Sequence, residues 1–400
     1  MTLRRPAAAS LRGVSRSLRL LIVAQMLALG VARVTVAAPE RCDAPTAARM
    51  RGAALDAAYW AVMNERLDGT FVYEQDRTGA DLGGYNEVRH AGLTTALYQV
   101  AAASKDDAIL AHADQALDWM RSHLDGREGW RTLTVNGWAT LGGGALMLTA
   151  LEERRAIDRS DLRDEIMRSI GRFLVAMQRP DGGFRVGVDV TTGVRDSEGT
   201  SPYYPGEAMW ALARLDAVLP GEGFGSAARR AALFVARDRD RVENVRFPPL
   251  NDHWASYGFA ELARRGRLDD DVTDYARRVS FRFDFLIRNE AQREAGAIYE
   301  LTHGRSRRSA ALGTWVEGDA ALARMAERDR RLGDRRAQVI ERAACGAAVL
   351  VARQNRDGPG RTRGAWFTNG ITRMDDQQHA ISGLLAVAQL IDRHHGSPRP

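Results

Sequence analysis

The stretch YYPGEAMWALARLDAVL, residues 203–219, decides the fold, because five other segments of the chain repeat its pattern. It opens with aromatic and polar residues and continues as a helical run of small and apolar residues. Pro205 and Glu207 suit a first helical turn, where one N–H lacks a partner anyway and the helix dipole favours negative charge. Neither effect explains Tyr203 and Tyr204. The segment therefore predicts a buried helix whose first turn faces something polar.

The pattern recurs at intervals of 50 to 62 residues, a spacing that fits two helices and their loops. The six copies cover residues 85–100, 135–153, 203–219, 251–266, 312–327 and 375–392. Their helical parts lack a charged face, which is typical of buried helices. The segments between them are amphipathic, with Arg, Asp and Glu on one side. They cover about 45–66, 105–124, 161–178, 226–238, 271–288 and 332–354.

This alternation predicts an all-α fold of twelve main helices, in which the buried helices form an inner barrel and the amphipathic helices wrap around it. Odd-numbered helices are expected outside and even-numbered helices inside. Strand signals are weak, and residues 69–76 and 182–193 are the candidates for short hairpin arms in loops. Because no Pro-rich or Ser-rich linker interrupts the pattern, we expect one domain over residues 42–395.

A turn motif adds a family resemblance. The segment MQRPDGGF, residues 177–184, resembles the Q-x-x-D-G-G-F/W turn of the terpenoid-cyclase and prenyltransferase group, and 64–71 and 352–360 are weaker copies. Together with the six-fold pattern, this resembles the (α/α)6 toroid that these proteins share with six-hairpin glycosidases and several polysaccharide lyases and epimerases. The resemblance covers about residues 45–395. It implies a fold but not a chemistry, because this fold hosts many reactions.

The N-terminal sequence predicts a secretory signal peptide over residues 1–37, with cleavage after residue 32, after residue 37 or nearby. It has six arginines, no acidic residue and a short apolar run. We expect a secreted or periplasmic protein with no stable membrane span after processing. Without these arginines the formal charge of +6 falls to about zero, which argues against nucleic acid as a partner.

The two cysteines of the chain are Cys42 and Cys345. Export favours a disulfide, and a bridge would join the first and last outer helices. However, Cys345 lies about a dozen residues into its helix, roughly 18 Å along the axis, so the pairing stays open. No group of Cys, His, Asp or Glu has metal-ligand spacing, so neither a metal nor another cofactor is expected.

Unusual side chains gather where the inner helices begin. In a toroid of this kind these ends surround a central cavity, and we expect the side chains to line it. They are Tyr85, Asn86, Arg89, His90, Trp138, Tyr203, Tyr204, Glu207, Asp252, His253, Trp254, Trp315, Glu317, Asp376, Gln378 and His379. The alternative is a polar plug, in which Asp and Asn cap helices and the aromatic rings belong to the core.

Aromatic rings beside carboxylates and amides suit a sugar, so an extracellular or cell-envelope polysaccharide or oligosaccharide is the expected partner. Glycoside hydrolysis needs one protonated carboxyl and one carboxylate. Glu207 and Glu317 hold equivalent positions in two repeats and are the favoured pair, with Asp252 and Asp376 as catalytic reserves. The remaining residues of the set would bind the substrate.

Two other functions stay open. A uronate lyase or C5-epimerase would use Tyr or His to move the C5 proton, with Asn86 or Arg89 neutralising the sugar carboxylate. A non-catalytic glycan-binding protein, acting within the machinery that assembles envelope polysaccharides, would keep the aromatic and amide groups without needing two facing carboxylates.

Overall fold

The structure is a computed structural model that describes residues 15–35, 40, 42–43, 45–196, 198–245, 249–293 and 297–396. Its contacts divide the chain into a small unit (residues 1–40 and 292–306) and a large unit (41–291 and 307–400). The helices are α1 (Arg16–Thr35), α2 (Ala47–Met63), α3 (Glu87–Ser104), α4 (Asp107–Ser122), α5 (Leu141–Asp158), α6 (Asp164–Met177), α7 (Tyr204–Val218), α8 (Phe224–Arg237), α9 (Arg239–Val242), α10 (His253–Ala263), α11 (Asp270–Ala291), α12 (Ala297–His303), α13 (Ser309–Ala326), α14 (Arg336–Arg353) and α15 (Met374–Gly396).

The small unit consists of α1 and α12, which contact each other. Helix α1 falls within the predicted signal peptide, whose residues 1–14 and 36–37 lie outside the described part of the chain. In the described residues, none of the helices combines the length and the apolar character needed to cross a bilayer.

Six helices of the large unit form a closed inner ring. Each packs against the next in the order α3, α5, α7, α10, α13, α15, and α15 packs against α3 to complete the circle. Small residues let these helices approach closely. At Gly313, for example, an added Cβ would lie 2.5 Å from the backbone carbon of His379 on the next helix. The run of small residues that marks each repeat is thus a requirement of the ring itself.

The other six main helices of the large unit, α2, α4, α6, α8, α11 and α14, pack around this ring. Each alternates with an inner helix along the chain, as the sequence predicts. These outer helices are amphipathic, and each buries its apolar stripe. In α6, for example, Met167, Ile170, Phe173 and Leu174 are buried. The prediction of an (α/α)6 toroid is confirmed. When only the twelve main helices are counted in chain order, from α2 to α15, the odd-numbered ones lie outside and the even-numbered ones inside, as predicted.

The inner helices run parallel, because their first turns meet one another. Gly206 near the start of α7 abuts Trp254 at the start of α10, and Gly92 in α3 abuts the side chain of Gln378 in α15. At the other end, Arg214 of α7 contacts Glu152 and Glu153 of α5. One end of the barrel is therefore built from six helix N-termini and the other from six C-termini.

The described strands are short, antiparallel and paired in twos: β1 (Glu74–Asp76), β2 (Leu124–Arg127), β3 (Trp130–Leu133), β4 (Trp138–Thr140), β5 (Gly187–Asp189) and β6 (Ile371–Arg373). Strands β1 and β5 lie in the two predicted segments, but their partners are distant. Strand β1 pairs with β6, with Gln75 opposite Thr372, and β5 pairs with β4. Only β2 and β3 form a local hairpin, which the sequence analysis did not predict.

The repeated turn motif docks one outer helix onto the next. After α6, the side-chain amide of Gln178 donates hydrogen bonds to the carbonyls of Gly182 (3.1 Å) and Ala227 (3.0 Å), the latter in α8. Gly182 has a φ of +91°, and a Cβ there would lie 2.5 Å from the Arg230 carbonyl oxygen. After α14, Gln354 makes the equivalent bond to the Ala53 carbonyl of α2 at 2.7 Å. The motif is therefore a structural joint of the outer ring.

Cys42 and Cys345 form a disulfide whose Cα atoms are 4.4 Å apart. The distance along the helix axis that left this pairing open can be spanned by the segment before α2. Cys42 precedes the first residue of α2 by five positions, and five extended residues reach about 17 Å. The bridge therefore fastens the last outer helix to the segment that leads into the first.

We predict that replacing both cysteines by serine lowers the free energy of unfolding by about 2–5 kcal/mol, because the bridge closes a long loop. The two cysteines are 303 residues apart in sequence. Chemical denaturation with and without dithiothreitol measures the effect. The reductant should bring the native protein to the level of the double variant and leave the variant unchanged. Free labelling of both thiols in the native, unreduced protein would contradict the bridge.

Candidate active site

Two histidines and a glutamate meet at the N-terminal end of the barrel. His253 begins α10, His379 lies in the second turn of α15, and their ring centroids are 5.1 Å apart at an interplanar angle of 85°. The Nδ1 atom of His379 and the Oε2 atom of Glu317, on α13, are hydrogen-bonded at 2.8 Å. One ligand atom from each residue lies within 4.8 Å of the others. Three inner helices thus converge on one small polar cluster.

His253 is held in place but keeps one nitrogen free. Only 2% of the residue is exposed, and its Nε2 atom is buried with no hydrogen-bond partner. Burial, with a further contribution from the charge of His379, lowers the pKa of His253 well below its ordinary value. The ring is therefore neutral at physiological pH, and an unpartnered imidazole nitrogen of this kind can accept a proton.

Asp252 fixes the position of His253. Its Oδ1 accepts a hydrogen bond from the Ala255 N–H at 3.1 Å and so caps α10. Its Oδ2 is bonded to the buried guanidinium of Arg239 and, at 3.0 Å, to the hydroxyl of Tyr275. Both oxygens are thereby engaged within the protein. Asp252 thus lies beside the cluster, and its contacts are those of a helix cap in a buried ion pair.

Glu317 is buried and is oriented by His379. Burial raises the pKa of its carboxyl, and the nearby His379 partly offsets this. The hydroxyl group of Tyr257 also contacts the carboxyl. Glu317 therefore holds the tautomer and orientation of the His379 ring, as a carboxylate commonly does for an active-site histidine.

Glu207 forms a second polar group at the same end. It is 3% exposed, its Oε2 atom has no hydrogen-bond partner, and burial raises its pKa to about 8. Its Oε2 and the ring of Tyr204 both lie within 2.6 Å of where a Cβ of Gly142 would stand. Burial and the adjacent Glu207 raise the pKa of Tyr204 to about 12. Both groups are therefore protonated donors at neutral pH.

Aromatic rings line the barrel next to the histidines. Trp254 packs against His253, with ring centroids 4.6 Å apart, and stacks on Trp210 at 5.5 Å. Trp210 in turn stacks on Tyr257 at 4.7 Å. With Gln378 and Glu317, these rings line a small cavity of about 10 Å³, about the size that one water molecule needs.

Arg89 lies at the rim. Its guanidinium is bonded to the hydroxyl of Tyr73 and lies 3.4 Å from the Asp375 carboxylate. Tyr203 and Trp138 are also rim residues, with 53% and 38% of their surfaces exposed. The Trp138 ring lies over Gly187 of the neighbouring strand β5.

Other predicted site residues are engaged elsewhere. His90 is fully buried against the outer helix α4, where its Nε2 contacts the Ala116 carbonyl at 2.9 Å and its Nδ1 contacts the Tyr85 hydroxyl at 2.5 Å. Asn86 caps α3 by accepting from the Arg89 N–H. Trp315 is buried in the hydrophobic core. These residues do not meet the His253 cluster in any described contact.

Asp376 is likewise engaged by the protein. It is fully buried, bonds the guanidinium of Arg308 and accepts from the backbone N–H groups of Ala310 and Arg373. Burial raises its pKa, and the Arg308 bond lowers it in part. These contacts cap the starts of α13 and α15, which carry Glu317 and His379.

Trp210 and Tyr257 were not among the site residues predicted from the sequence. They lie one helical turn after Glu207 and His253, at the i+3 and i+4 positions that share a helix face. That spacing is the sequence signal that could have found them.

The His253, Glu317 and His379 cluster also has the composition of a transition-metal site. Two imidazoles and one carboxylate are the donor set of several catalytic zinc centres, which leave a fourth position for water or substrate. The unpartnered Nε2 of His253 fits such a role. Chelator sensitivity distinguishes this possibility from proton transfer by the two histidines alone.

Comparison with known structures agrees with the architecture. The chain has an (α/α)6 toroid fold, and several solved enzyme structures share it. A crystal structure of D-mannose isomerase matches 86% of this chain and 97% of its own, with a TM-score of 0.59 at 11% identity. The cellobiose 2-epimerase of Spirochaeta thermophila DSM 6192 matches 83% and 93%, with a TM-score of 0.58 at 13% identity.

An alpha-amylase from Clostridium perfringens also matches, over 85% of this chain and 98% of its own, with a TM-score of 0.54 at 10% identity. No protein-family model and no curated protein sequence matches the chain. At these identities the similarity confirms the fold only. The chemistry has to be inferred from the residues of the site.

We predict that Glu207→Gln removes a pH dependence of stability. Since the folded pKa is about 8 against an ordinary 4.5, the folded protein keeps a proton that the unfolded chain loses. The free energy of unfolding therefore falls as pH rises through this window, by up to about 1.4 kcal/mol per pH unit. Urea unfolding of both proteins at several pH values between 5 and 8 measures the difference. The exposed control Glu128→Gln should follow the unmodified protein, and parallel curves for Glu207→Gln would refute the prediction.

We predict opposite effects for two glycine substitutions in helices. Gly142→Ala should destabilise the protein by about 1–3 kcal/mol, because Tyr204 and Glu207 must move away from the new Cβ. Gly52→Ala meets no atom within 4 Å and should stabilise α2 by about 0.5–1 kcal/mol. Thermal unfolding compares the two. Equal stability of Gly142→Ala and the unmodified protein would mean that this contact is wrong.

Proposed function

We propose that the protein is a carbohydrate-active enzyme that isomerises or epimerises a sugar by proton transfer between carbon atoms, with His253 and His379 as the acid–base pair. The observation that carries this proposal is the pair itself. One buried imidazole has a free nitrogen, the other is held by a carboxylate, and the two rings meet edge to face from different helices. Two such groups can remove a proton next to a carbonyl and return one.

The chemistry follows from the state of each group. His253 is neutral, so its Nε2 takes the proton from the carbon beside the open-chain carbonyl. His379, whose other nitrogen is bonded to Glu317, returns a proton to the same carbon from the other face or to the adjacent carbon. The first outcome is epimerisation and the second is isomerisation. Protonated Glu207 is available as a hydrogen-bond donor to the developing enediolate oxygen.

The substrate class is a sugar with a free reducing end. Neighbouring folds with TM-scores above 0.5 include an isomerase and a 2-epimerase of sugars, which supports this choice. A uronate is less favoured because Arg89, the expected partner of a sugar carboxylate, already lies beside Asp375. We also propose that the protein is exported, since its disulfide suits an oxidising compartment.

Glycoside hydrolysis is the second candidate. It is favoured by Glu207, whose pKa of about 8 is that of a general acid. Its weak point is the second carboxylate. Glu317 is bonded to His379, while Asp252 and Asp376 are held in ion pairs with Arg239 and Arg308. The carboxylate that would act as base or nucleophile therefore has competing partners.

Exchange of the sugar hydrogen with solvent tests the proposal. The purified protein is incubated in D₂O with D-mannose, D-glucose and cellobiose, and NMR follows deuterium at C2 and the appearance of a second sugar. We expect both with at least one of these sugars. His253→Gln and His379→Gln should each reduce the rate by about 10²–10⁴-fold. His112→Gln, on the outer helix α4, is the matched control and should not.

Four results would count against the proposal. A rate that survives both histidine substitutions would exclude the pair. Release of new reducing ends from a polysaccharide, lost in Glu207→Gln, would favour the hydrolase. Binding of sugars without any conversion would favour a glycan-binding protein. Loss of the isomerisation on adding EDTA, with recovery on adding zinc, would instead assign the cluster to a metal.

A further inference from the structure

A larger cavity lies at the opposite end of the barrel from the histidines. It has a volume of about 710 Å³ and is enclosed by the C-terminal parts of all six inner helices. This is the size range of pockets for small ligands. Its charged lining includes six arginines and four glutamates. Because the arginines outnumber the glutamates by two, the lining has a formal net charge of +2.

Most of these charges already have partners. Arg214 contacts Glu152 at 3.1 Å and Glu153 at 2.7 Å, and Arg264 contacts Glu261 at 3.1 Å. Their guanidinium groups are therefore neutralised within the protein. Any ligand that the cavity attracts by charge must be bound by other residues.

Arg324 is different. No described carboxylate lies within 4.0 Å of its guanidinium, and the structure gives it no hydrogen-bond acceptor. It lies over the ring of Tyr257, 5.6 Å from the centroid. Burial lowers the pKa of this group, with Glu261 and Glu327 acting only at longer range. A half-buried guanidinium that faces a cavity and has no carboxylate partner in the described residues is available to an anion that enters it.

Helix dipoles account for part of this arrangement but not for all of it. The C-termini of the inner helices carry partial negative charge, which favours arginines at this end. They do not supply an acceptor for the N–H groups of Arg324, whose planar fork fits the two oxygens of a carboxylate or phosphate. Arg328 and Gln389, which also line the cavity, are exposed and offer further donors.

We infer that this cavity is a binding site for a small oxyanion, a carboxylate or phosphate group on an organic ligand, with Arg324 as its main contact. The site is separate from the histidine cluster and goes beyond the proposed sugar chemistry. Tyr257 lies between the two. Its ring faces Arg324, and its hydroxyl contacts Glu317, the partner of His379.

Calorimetric titration tests the site with three probes: D-glucuronate for a carboxylate, inorganic phosphate, and neutral D-glucose as the reference. We expect at least one anion to bind more tightly than glucose and to raise the melting temperature. Arg324→Gln should weaken that binding by about tenfold or more, because a charge-assisted hydrogen-bond pair is lost. Arg121→Gln, an exposed arginine of outer helix α4, is the matched control and should bind as the unmodified protein does.

Two further variants keep the result interpretable. Ala217→Trp adds a ring at the exposed edge of the cavity without touching the core, so it should reduce anion binding by a similar factor even if Arg324→Gln folds poorly. His253→Ala should retain anion binding, which separates this site from the histidine cluster. The inference is overturned if neither anion binds, if Arg324→Gln and Ala217→Trp bind as tightly as the unmodified protein, or if binding is lost in His253→Ala.

Discussion

The structure depends on the closure of a ring. Twelve helices in two layers bury their apolar faces only if the last pair packs against the first, because an open end would expose a whole inner helix. Four contacts make this closure: α15 packs on α3 and α2, Gln354 bonds the Ala53 carbonyl, β6 pairs with β1, and Cys345 bridges to Cys42. All four join residues about 300 positions apart. The loop entropy lost in bringing them together grows slowly with length, so several modest contacts suffice.

Closure also sets the geometry of the candidate site. His379 lies on the last inner helix, and His253 lies on the fourth, so their edge-to-face contact exists only in the closed ring. Two ion pairs, one buried and one half-buried, fix the helix starts on which these residues depend. Arg239 bonds the Asp252 cap just before His253, and Arg308 bonds Asp376 just before His379. Ion pairs of this kind add little net stability, but they specify position. The acids that looked catalytic thereby orient the groups that face each other.

The sequence predicted the fold because the ring imposes a period. Each inner helix needs small residues, and each outer helix needs one charged face, so both features repeat six times and can be read without any distant contact. The candidate site was less accessible. The position of each residue in the repeat was enough to select Glu207, Glu317, His253 and His379. Nothing in the sequence predicts that His90 contacts the Ala116 carbonyl of an outer helix, or that Asp252 forms an ion pair with Arg239. Such partners come from loops and neighbouring helices, and they depend on side-chain rotamers that a periodic pattern does not encode. The same holds for the pairing of β1 with β6, since short strands carry little information about their partner.

Parallel inner helices give the barrel two chemically different ends. Helix N-termini present free N–H groups and positive partial charge, so carboxylates can serve there as caps, and the neutral His253 can remain between them. Helix C-termini present carbonyls and negative partial charge, so arginines collect at the other end. The two ends are joined by a stack of rings along the axis, from Trp254 through Trp210 to Tyr257. Tyr257 contacts a group from each end, Glu317 by its hydroxyl and Arg324 by its face. An anion bound to Arg324, as inferred above, would weaken the attraction between that guanidinium and the ring, and so would change the electrostatic field at the Glu317 carboxyl.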